Sequence, residues 1–309
     1  MRDVIIALLP AIFVGVYIFG LPALKVVLLS AIFCVGWEAI LLKLFKRPGK
    51  MSDYLLDYSA VITGILLGLN LSSSAPWWLI FVGAFIAMLL GKHVYGGLGQ
   101  NPFNPALVAR VFLLIAFPVE MTKWPIPTPG KLFSAVDATT SATPLGILKT
   151  DGLKAALDSI SIKSLIIGNM GGCIGEISII ALLIGGIYLL IRNVIRWEIP
   201  LSFIFFVGII AFIFSEINPD KYAPVFFHLF SGGLFLGAFF MATDYVTSPE
   251  TPSGMLVFGA GCGFFTIIIR LFGGYPEGVS FAILIMNSLV PIIDRHIRPK
   301  RFGFVEENK

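Results

Sequence analysis

This sequence contains few charged residues for its length. Its 309 residues include 22 Lys or Arg and 18 Asp or Glu, so 13% of the chain is charged. A soluble globular domain carries about 25% charged residues. This composition excludes an ordinary water-soluble domain. The net charge of +4 is small and does not indicate a nucleic-acid partner, because membrane proteins gather Lys and Arg in their cytoplasmic loops.

Cysteine and histidine are also scarce, with three of each. Cys34, Cys173 and Cys262 all fall in apolar segments, and none has a neighbour at metal-ligand spacing. We interpret them as small buried hydrophobic side chains. We therefore predict no metal site and no catalytic residue.

Apolar residues dominate instead, at 57% of the chain. A helix of about 20 apolar residues crosses the roughly 30 Å of a bilayer core. The alternating segments of about ten residues that mark an outer-membrane barrel are missing. We predict an all-α integral membrane protein with about ten transmembrane helices. The predicted spans are 4–20, 22–42, 55–71, 77–91, 103–117, 173–191, 199–215, 223–241, 254–272 and 278–293.

The basic residues orient these spans. Clusters at the N-terminus, at 43–50, at 192–196 and in the tail 295–309 all fall on one side, which is therefore predicted to be cytoplasmic. Both termini then lie in the cytoplasm of a bacterial or archaeal cell. The opposite side receives isolated basic residues in short connections, Arg270 among them.

The domain organisation follows from the one long polar interval, residues 118–172. We expect a single membrane domain in which this extracytoplasmic loop separates a first half, 1–117, from a second half, 173–294. Gly-Gly pairs precede the last span of both halves. Five spans is an odd number, so two similar halves would lie inverted in the membrane, an arrangement typical of transporters.

A run of small hydroxyl residues, Asp137 to Leu145, stands out in that loop. Thr143 lies between Ala142 and Pro144, in what we expect to be an exposed, non-helical setting. Its hydroxyl is a poor nucleophile because no His or Lys adjoins it to activate it. The residues alone leave two interpretations open, an ordinary Ser/Thr loop and the substrate of a modifying enzyme.

The run from Asp137 to Thr143 resembles the flavinylation motif of the NqrB/RnfD family, Asp-x-x-Ser/Thr-Gly-Ala-Thr, with Ser141 in place of Gly. Four further segments resemble family signatures in the same order, so the resemblance covers nearly the whole chain. They are Gly96–Ala106, Gly172–Glu176, Phe240–Pro249, where Tyr245 replaces Pro, and Glu277–Asn287.

The resemblance implies that a flavin transferase attaches FMN to Thr143 through a phosphoester bond. The other motif residues expected at the cofactor are Asp137, Thr140, Ser141 and Ala142. A second, non-covalent flavin such as riboflavin is a further expectation. Members of the family are membrane subunits of ion-pumping oxidoreductases, in which they relay electrons and do not act alone.

The start of the first span near residue 4 favours the RnfD branch of the family, since NqrB proteins usually carry a long extension there. The implied partners are the A, B, C, E and G subunits of an Rnf complex, which couples electron transfer between ferredoxin and NAD to Na⁺ or H⁺ translocation. An NqrB-like subunit of a quinone-reducing pump is one alternative. A stand-alone channel or transporter of similar architecture is another.

Ionisable and amide side chains inside predicted spans are functional candidates, because their burial in lipid is costly. We expect Arg110 to pair with a carboxylate or to hold a flavin, and Glu176 to lie on the same side as Thr143, at the flavin or on an ion path. Structural salt bridges compete as an interpretation for Arg110, Asp244 and Glu38. Satisfaction of the backbone at broken helix ends competes for Asn101, Asn104 and Asn287. Lys92 and His93 are expected at the solvated inner surface. The ion-path candidates are Asn101, Asn104, Asp244 and Asn287.

Overall fold

The computed structural model describes residues 1–47, 54–131, 140–168 and 170–298. Across those ranges every regular element is a helix, and the one extended pairing is an isolated antiparallel bridge between Pro125 and Thr140. The all-α prediction therefore agrees with the structure. Asp137 lies outside the described residues.

The described helices are numbered here in chain order. They are α1 (Arg2–Phe19), α2 (Leu21–Leu44), α3 (Ser59–Leu69), α4 (Trp77–Met88), α5 (Pro105–Ala116), α6 (Pro118–Met121), α7 (Pro144–Thr150), α8 (Gly152–Ser159), α9 (Ile162–Ile167), α10 (Ile179–Ile191), α11 (Glu198–Ile217), α12 (Val225–Phe230), α13 (Leu234–Leu236), α14 (Pro252–Phe272) and α15 (Val279–His296). Two of them continue as π-helical turns, α4 through Leu89–His93 and α13 through Gly237–Met241.

Five of these helices, α1, α2, α11, α14 and α15, are long and apolar enough to cross a membrane. Four shorter apolar helices are α3, α5, α10 and α4 with its π-helical turn. The predicted span 223–241 is interrupted, because α12 ends at Phe230 and α13 begins at Leu234. The chain is thus a helical, multi-pass type of membrane protein, while the count of ten spans and the inverted repeat stay predictions.

The apolar helices pack in groups and leave large apolar side chains exposed on the outer surface. α2 lies against α3 and α4, α14 against α11 and α15, and α1 against α10. Large side chains such as Phe13, Ile32 and Phe205 are exposed on the outside. Such a surface suits lipid and not water.

Two non-helical segments cross and contact each other, one following α3 and one preceding α10. Ile174 N donates to Leu71 O at 3.1 Å, and Gly175 N donates to Leu69 O at 2.7 Å. Non-helical backbone at membrane depth is tolerated only where its polar groups are satisfied within the protein. These two bonds meet that requirement, and they need the close approach that glycine allows at position 175.

The polar interval also packs onto the second half. Leu145, Leu165 and Met170 form a small apolar cluster with Ala223 and Phe227, separate from the main core. Lys149 Nζ donates to the carbonyls of the connection between α14 and α15, one of them Tyr275 O at 3.1 Å. Partial burial lowers the pKa of the Lys149 ammonium. The segment that carries Thr143 is therefore held against the second half of the chain by apolar packing and by these hydrogen bonds.

Gly175→Ala should destabilise the protein. A Cβ at this position would lie 2.7 Å from Leu69 Cβ and 3.0 Å from Leu69 O, so one of the crossing segments must move. Overpacking of this kind costs about 1–3 kcal/mol. A lower Tm of the detergent-solubilised chain is the expected result. The control is Gly36→Ala, where a Cβ meets nothing within 4 Å; equal Tm values for the two variants would contradict the crossing.

Candidate cofactor site

Thr143 is the N-cap residue of α7. Its Oγ1 accepts a hydrogen bond from Gly146 N at 3.1 Å, and Pro144 occupies the first helical position, where its missing N–H is no loss. The expected exposed setting is wrong, because Thr143 is only 7% exposed. The capping hydrogen bond and the apolar cluster around Leu145 keep the Thr143 side chain buried.

The neighbouring motif residues lie nearer the surface. Ser141 N donates to Trp124 O at 2.7 Å, which attaches the run to the segment before it. Thr140 and Ala142 are exposed, and Ser141 between them is half-buried. The run therefore passes from the surface at Thr140 to a buried position at Thr143 within four residues.

Thr143 and Glu176 line the same narrow pocket, together with Gly172, Gly232 and Glu277. The structure thus brings Glu176 and Thr143 together at one pocket, while the membrane side on which they lie stays a prediction. Glu277 was part of a matched segment but was not expected at the site. The sequence feature that could have indicated its role is its position just before α15 and after a Gly-Gly pair.

Glu176 is held by the turn that precedes α10. Its Oε1 accepts from Cys173 N at 2.7 Å, while Oε2 is buried and has no hydrogen-bond partner among the described residues. A side chain at Gly172 would collide with this carboxylate. The turn therefore presents one satisfied and one unsatisfied carboxylate oxygen.

Arg110, on α5, joins four segments of the chain. Its guanidinium forms an ion pair with Glu277, donates to Asn70 Oδ1, and lies 3.4 Å from Cys173 Sγ. Arg110 is 6% exposed, so these contacts replace its hydration. Cys173 is buried as expected, but it also touches this charge. The sequence did not predict a role for Asn70, whose one distinctive feature is its position at the end of an apolar run.

Arg270 is a second buried guanidinium near the pocket. Its Nη1 donates to His228 O at 2.5 Å and its Nη2 to Ser231 O at 3.0 Å. These carbonyls lie at the break between α12 and α13. Its expected place in a surface connection is wrong, because Arg270 lies within α14 and is buried against carbonyls that the broken helix leaves free.

The ion-path candidates lie elsewhere. Asn101, Asn104 and Asp244 line a separate cavity of about 110 Å³, and Lys92 borders it as well. Asn287 is adjacent: with its amide turned to satisfy both ends, it accepts from Asn104 N at 3.2 Å. Three of the four candidates therefore share one cavity, and the fourth supports it.

A series of contacts leads from Arg110 towards Asn104 by way of Asn70 and Met241. Arg110 holds Asn70, whose Nδ2 lies 3.7 Å from Met241 Sδ. Met241 O in turn accepts from Asn104 Nδ2 at 3.2 Å. Asn104 also caps α5 by accepting from Ala106 N at 3.0 Å. The contacts from Arg110 to Asn104 therefore pass through the apolar side chain and the backbone of Met241.

Lys92 and His93 are not solvated, so that prediction is wrong. Both are 2% exposed. Lys92 Nζ lies 2.8 Å from Glu38 Oε1 and 2.8 Å from Ser59 Oγ, and His93 Nε2 lies 3.4 Å from Glu38 Oε2. The carboxylate of Glu38 compensates the charge of Lys92, which is why the lysine can be buried.

Fold and site together define a polytopic membrane protein with a buried ionic centre and a capping threonine beside it. The sequence profile described as the NQR2, RnfD, RnfE family matches residues 1–303. The chain belongs to this family.

Curated relatives are similar over almost the full chain. The D subunit of the Na⁺-translocating ferredoxin:NAD⁺ oxidoreductase complex of Acetobacterium woodii is 45% identical, covering 100% of this chain and 92% of the relative. The D subunit of the ion-translocating oxidoreductase complex of Stutzerimonas stutzeri is 44% identical, covering 98% and 91%. The D subunit of the proton-translocating ferredoxin:NAD⁺ oxidoreductase complex of Clostridium ljungdahlii is 42% identical, with the same coverage of 98% and 91%.

Arg110→Met should destabilise the chain strongly, because it leaves Glu277 charged, largely buried and unpaired. Breaking one partner of a buried pair costs about 3–5 kcal/mol. The double variant Arg110→Met/Glu277→Leu should recover part of that loss in a thermal unfolding measurement. The control is Lys123→Met, since the exposed pair of Lys123 and Glu120 contributes about 1 kcal/mol at most. Additive losses in the double variant would contradict the pairing.

Proposed function

We propose that this chain is the D subunit of an Rnf-type complex, a ferredoxin:NAD⁺ oxidoreductase that couples electron transfer to ion translocation. The observation that carries the proposal is the match to proteins named as such subunits at 42–45% identity over at least 98% of this chain. A complex that reduced quinone and did not accept electrons from ferredoxin would select the NqrB-like alternative.

We propose further that FMN is attached to Thr143 Oγ1 through its phosphate. The residues present fit this group. Gly146 faces Oγ1 without a side chain, where a Cβ would lie 3.0 Å away, and Ala142 beside it is small. The pocket below Thr143 has a volume of only about 10 Å³, close to that of one water molecule. A pocket of this size would not hold a flavin ring system, which would have to lie outside it.

FMN supplies the electron transfer when it is bound, and the chain positions it. Thr143 provides the attachment, and the α7 cap fixes the direction of its oxygen. Lys149 and the cluster around Leu145 hold α7 on the second half of the membrane domain. Glu176 and Glu277 line the pocket beside the attachment oxygen, and Arg110 forms an ion pair with Glu277.

The cellular arrangement is also part of the proposal. We place the Thr143 loop outside the cytoplasmic membrane and both termini inside, with ten spans in two inverted halves. The partners are the A, B, C, E and G subunits and a flavin transferase for maturation. A non-covalent riboflavin is retained as a proposal without assigned residues.

The cavity lined by Asn101, Asn104 and Asp244 is our candidate for part of the ion path. Its support is the set of amide and carboxyl side chains that line it, together with the contacts that lead from Asn104 through Met241 and Asn70 to Arg110. The relatives are named as both Na⁺- and proton-translocating at nearly equal identity, so their names do not choose the ion.

Thr143→Ala should abolish flavin attachment, because the only oxygen that forms the ester is removed. The test is coexpression with a flavin transferase, followed by mass spectrometry of the tryptic peptide 132–149. The wild type should carry the FMN adduct at Thr143. Thr150→Ala, at the other end of α7, is the matched control and should show normal attachment to Thr143. In-gel flavin fluorescence that survives Thr143→Ala would refute the assignment.

A further inference from the structure

A groove lies between the N-terminal parts of α2 and α4, away from the two sites described above. Its volume is about 530 Å³, within the range of about 300–1,000 Å³ that is typical of small-molecule sites. The polar side chains that line it are Lys25, Ser73 and Ser74, and its apolar wall includes Val26 and Ile80. A ligand that fits this lining has one polar end and one apolar end.

The groove is located where the membrane helices end. The long polar interval covers the same end of the bundle, because Thr128 N donates to Ile18 O at 3.0 Å and Ser74 Oγ donates to Lys123 O at 3.2 Å. Trp77, the first residue of α4, is 63% exposed beside the groove. Exposed Trp and Lys at the ends of membrane helices are typical of the membrane–water interface. The polar part of the groove is therefore expected at the level of the lipid headgroups.

The polar part of the groove favours negative charge. Lys25 is exposed and forms no ion pair with any described residue. The N-cap residue of α4 is Pro76, which provides no side-chain cap, so the first N–H groups of this 12-residue helix are left free. The N-terminus of α2 also lacks a side-chain cap. The positive ends of two helix dipoles thus add to the ammonium charge of Lys25.

Ser73 offers a hydrogen-bond donor in the same place. It is only 5% exposed, and its hydroxyl has no hydrogen-bond partner among the described residues. The oxygen is not one of the fully enclosed polar atoms, so it keeps an open side, and the residue lines the groove. Ser74 is different, because its hydroxyl is engaged by Ser72 Oγ at 2.9 Å and by Lys123 O. Since buried polar side chains normally have a partner, a ligand atom is expected at Ser73.

We propose that this groove binds one anionic phospholipid. Its phosphate accepts from Lys25, Ser73 and the N-terminal N–H groups of α4, and one acyl chain lies along Val26 and Ile80. Basic pockets between membrane helices bind anionic headgroups in this way. A free phosphate would match the charge and leave the apolar wall uncovered. An apolar helix of a partner would cover the wall and leave the polar groups without a partner.

The test uses the full-length chain, purified in detergent and stripped of lipid. Phosphatidylglycerol, phosphatidylcholine and inorganic phosphate are added separately, and binding is measured by native mass spectrometry. The wild type is expected to retain one phosphatidylglycerol, about fivefold more tightly than phosphatidylcholine, whose choline group brings a second cation to Lys25. Phosphatidylglycerol should also raise the Tm of the wild type, because a ligand that binds the folded state stabilises it.

Lys25→Met should weaken the binding of phosphatidylglycerol about fivefold, equivalent to about 1 kcal/mol, because one basic residue near the membrane surface contributes about that much. The side chain is exposed and methionine keeps its apolar stem, so the variant should fold. Ser73→Ala should weaken binding about threefold through the loss of one hydrogen bond. The matched control is Lys221→Met, an exposed lysine between α11 and α12, which changes the net charge equally and should bind as the wild type does.

Three results would overturn the proposal. The first is phosphatidylglycerol binding that is unchanged in Lys25→Met, or that falls equally in Lys221→Met. The second is equal retention of phosphatidylcholine and phosphatidylglycerol by the wild type. The third is binding of inorganic phosphate by a chain that retains no phospholipid, which would make the groove an anion site without a lipid. None of these measurements depends on a flavin, so the proposed function stands or falls separately.

Discussion

The buried guanidinium of Arg110 is the contact on which the centre of this protein depends. A charge inside an apolar helical domain must be paired, and its partners come from distant parts of the chain: Glu277 before α15, Asn70 after α3 and Cys173 before α10. One side chain therefore ties both halves of the membrane domain together. Non-helical backbone is tolerated there for a separate reason, since the segments that carry Asn70 and Cys173 form backbone hydrogen bonds with each other.

The location of the capping threonine follows from that centre. Glu277 belongs to both the Arg110 pair and the pocket under Thr143, and Glu176 completes the pocket wall. On the other side, Asn70 leads through Met241 to the cavity at Asn104. A group attached to Thr143 would thus lie beside the pair of Arg110 and Glu277, from which contacts through Asn70 and Met241 lead towards the 110 Å³ cavity.

The local sequence pattern was enough to predict the helical membrane fold and part of the candidate site. Apolar runs indicated the membrane helices, and Glu176, which was expected near Thr143, lines the same pocket. Local pattern could not predict the partners of Arg110, because Asn70 and Glu277 lie 40 and 167 residues from it along the chain. Burial of charge was misjudged for the same reason: Lys92 is placed inside by Glu38, 54 residues away, and no local pattern reports that pairing.

The central claim concerns what is attached to Thr143 and what lies below it. The most direct measurement is a cryo-EM map of the complex containing this chain, isolated after flavin loading. Continuous density from Thr143 Oγ1 through a phosphate to a flavin outside the pocket, with Arg110 against Glu277 beneath it, is the predicted result. A bare Thr143 hydroxyl, or a flavin held elsewhere in the chain, would contradict it.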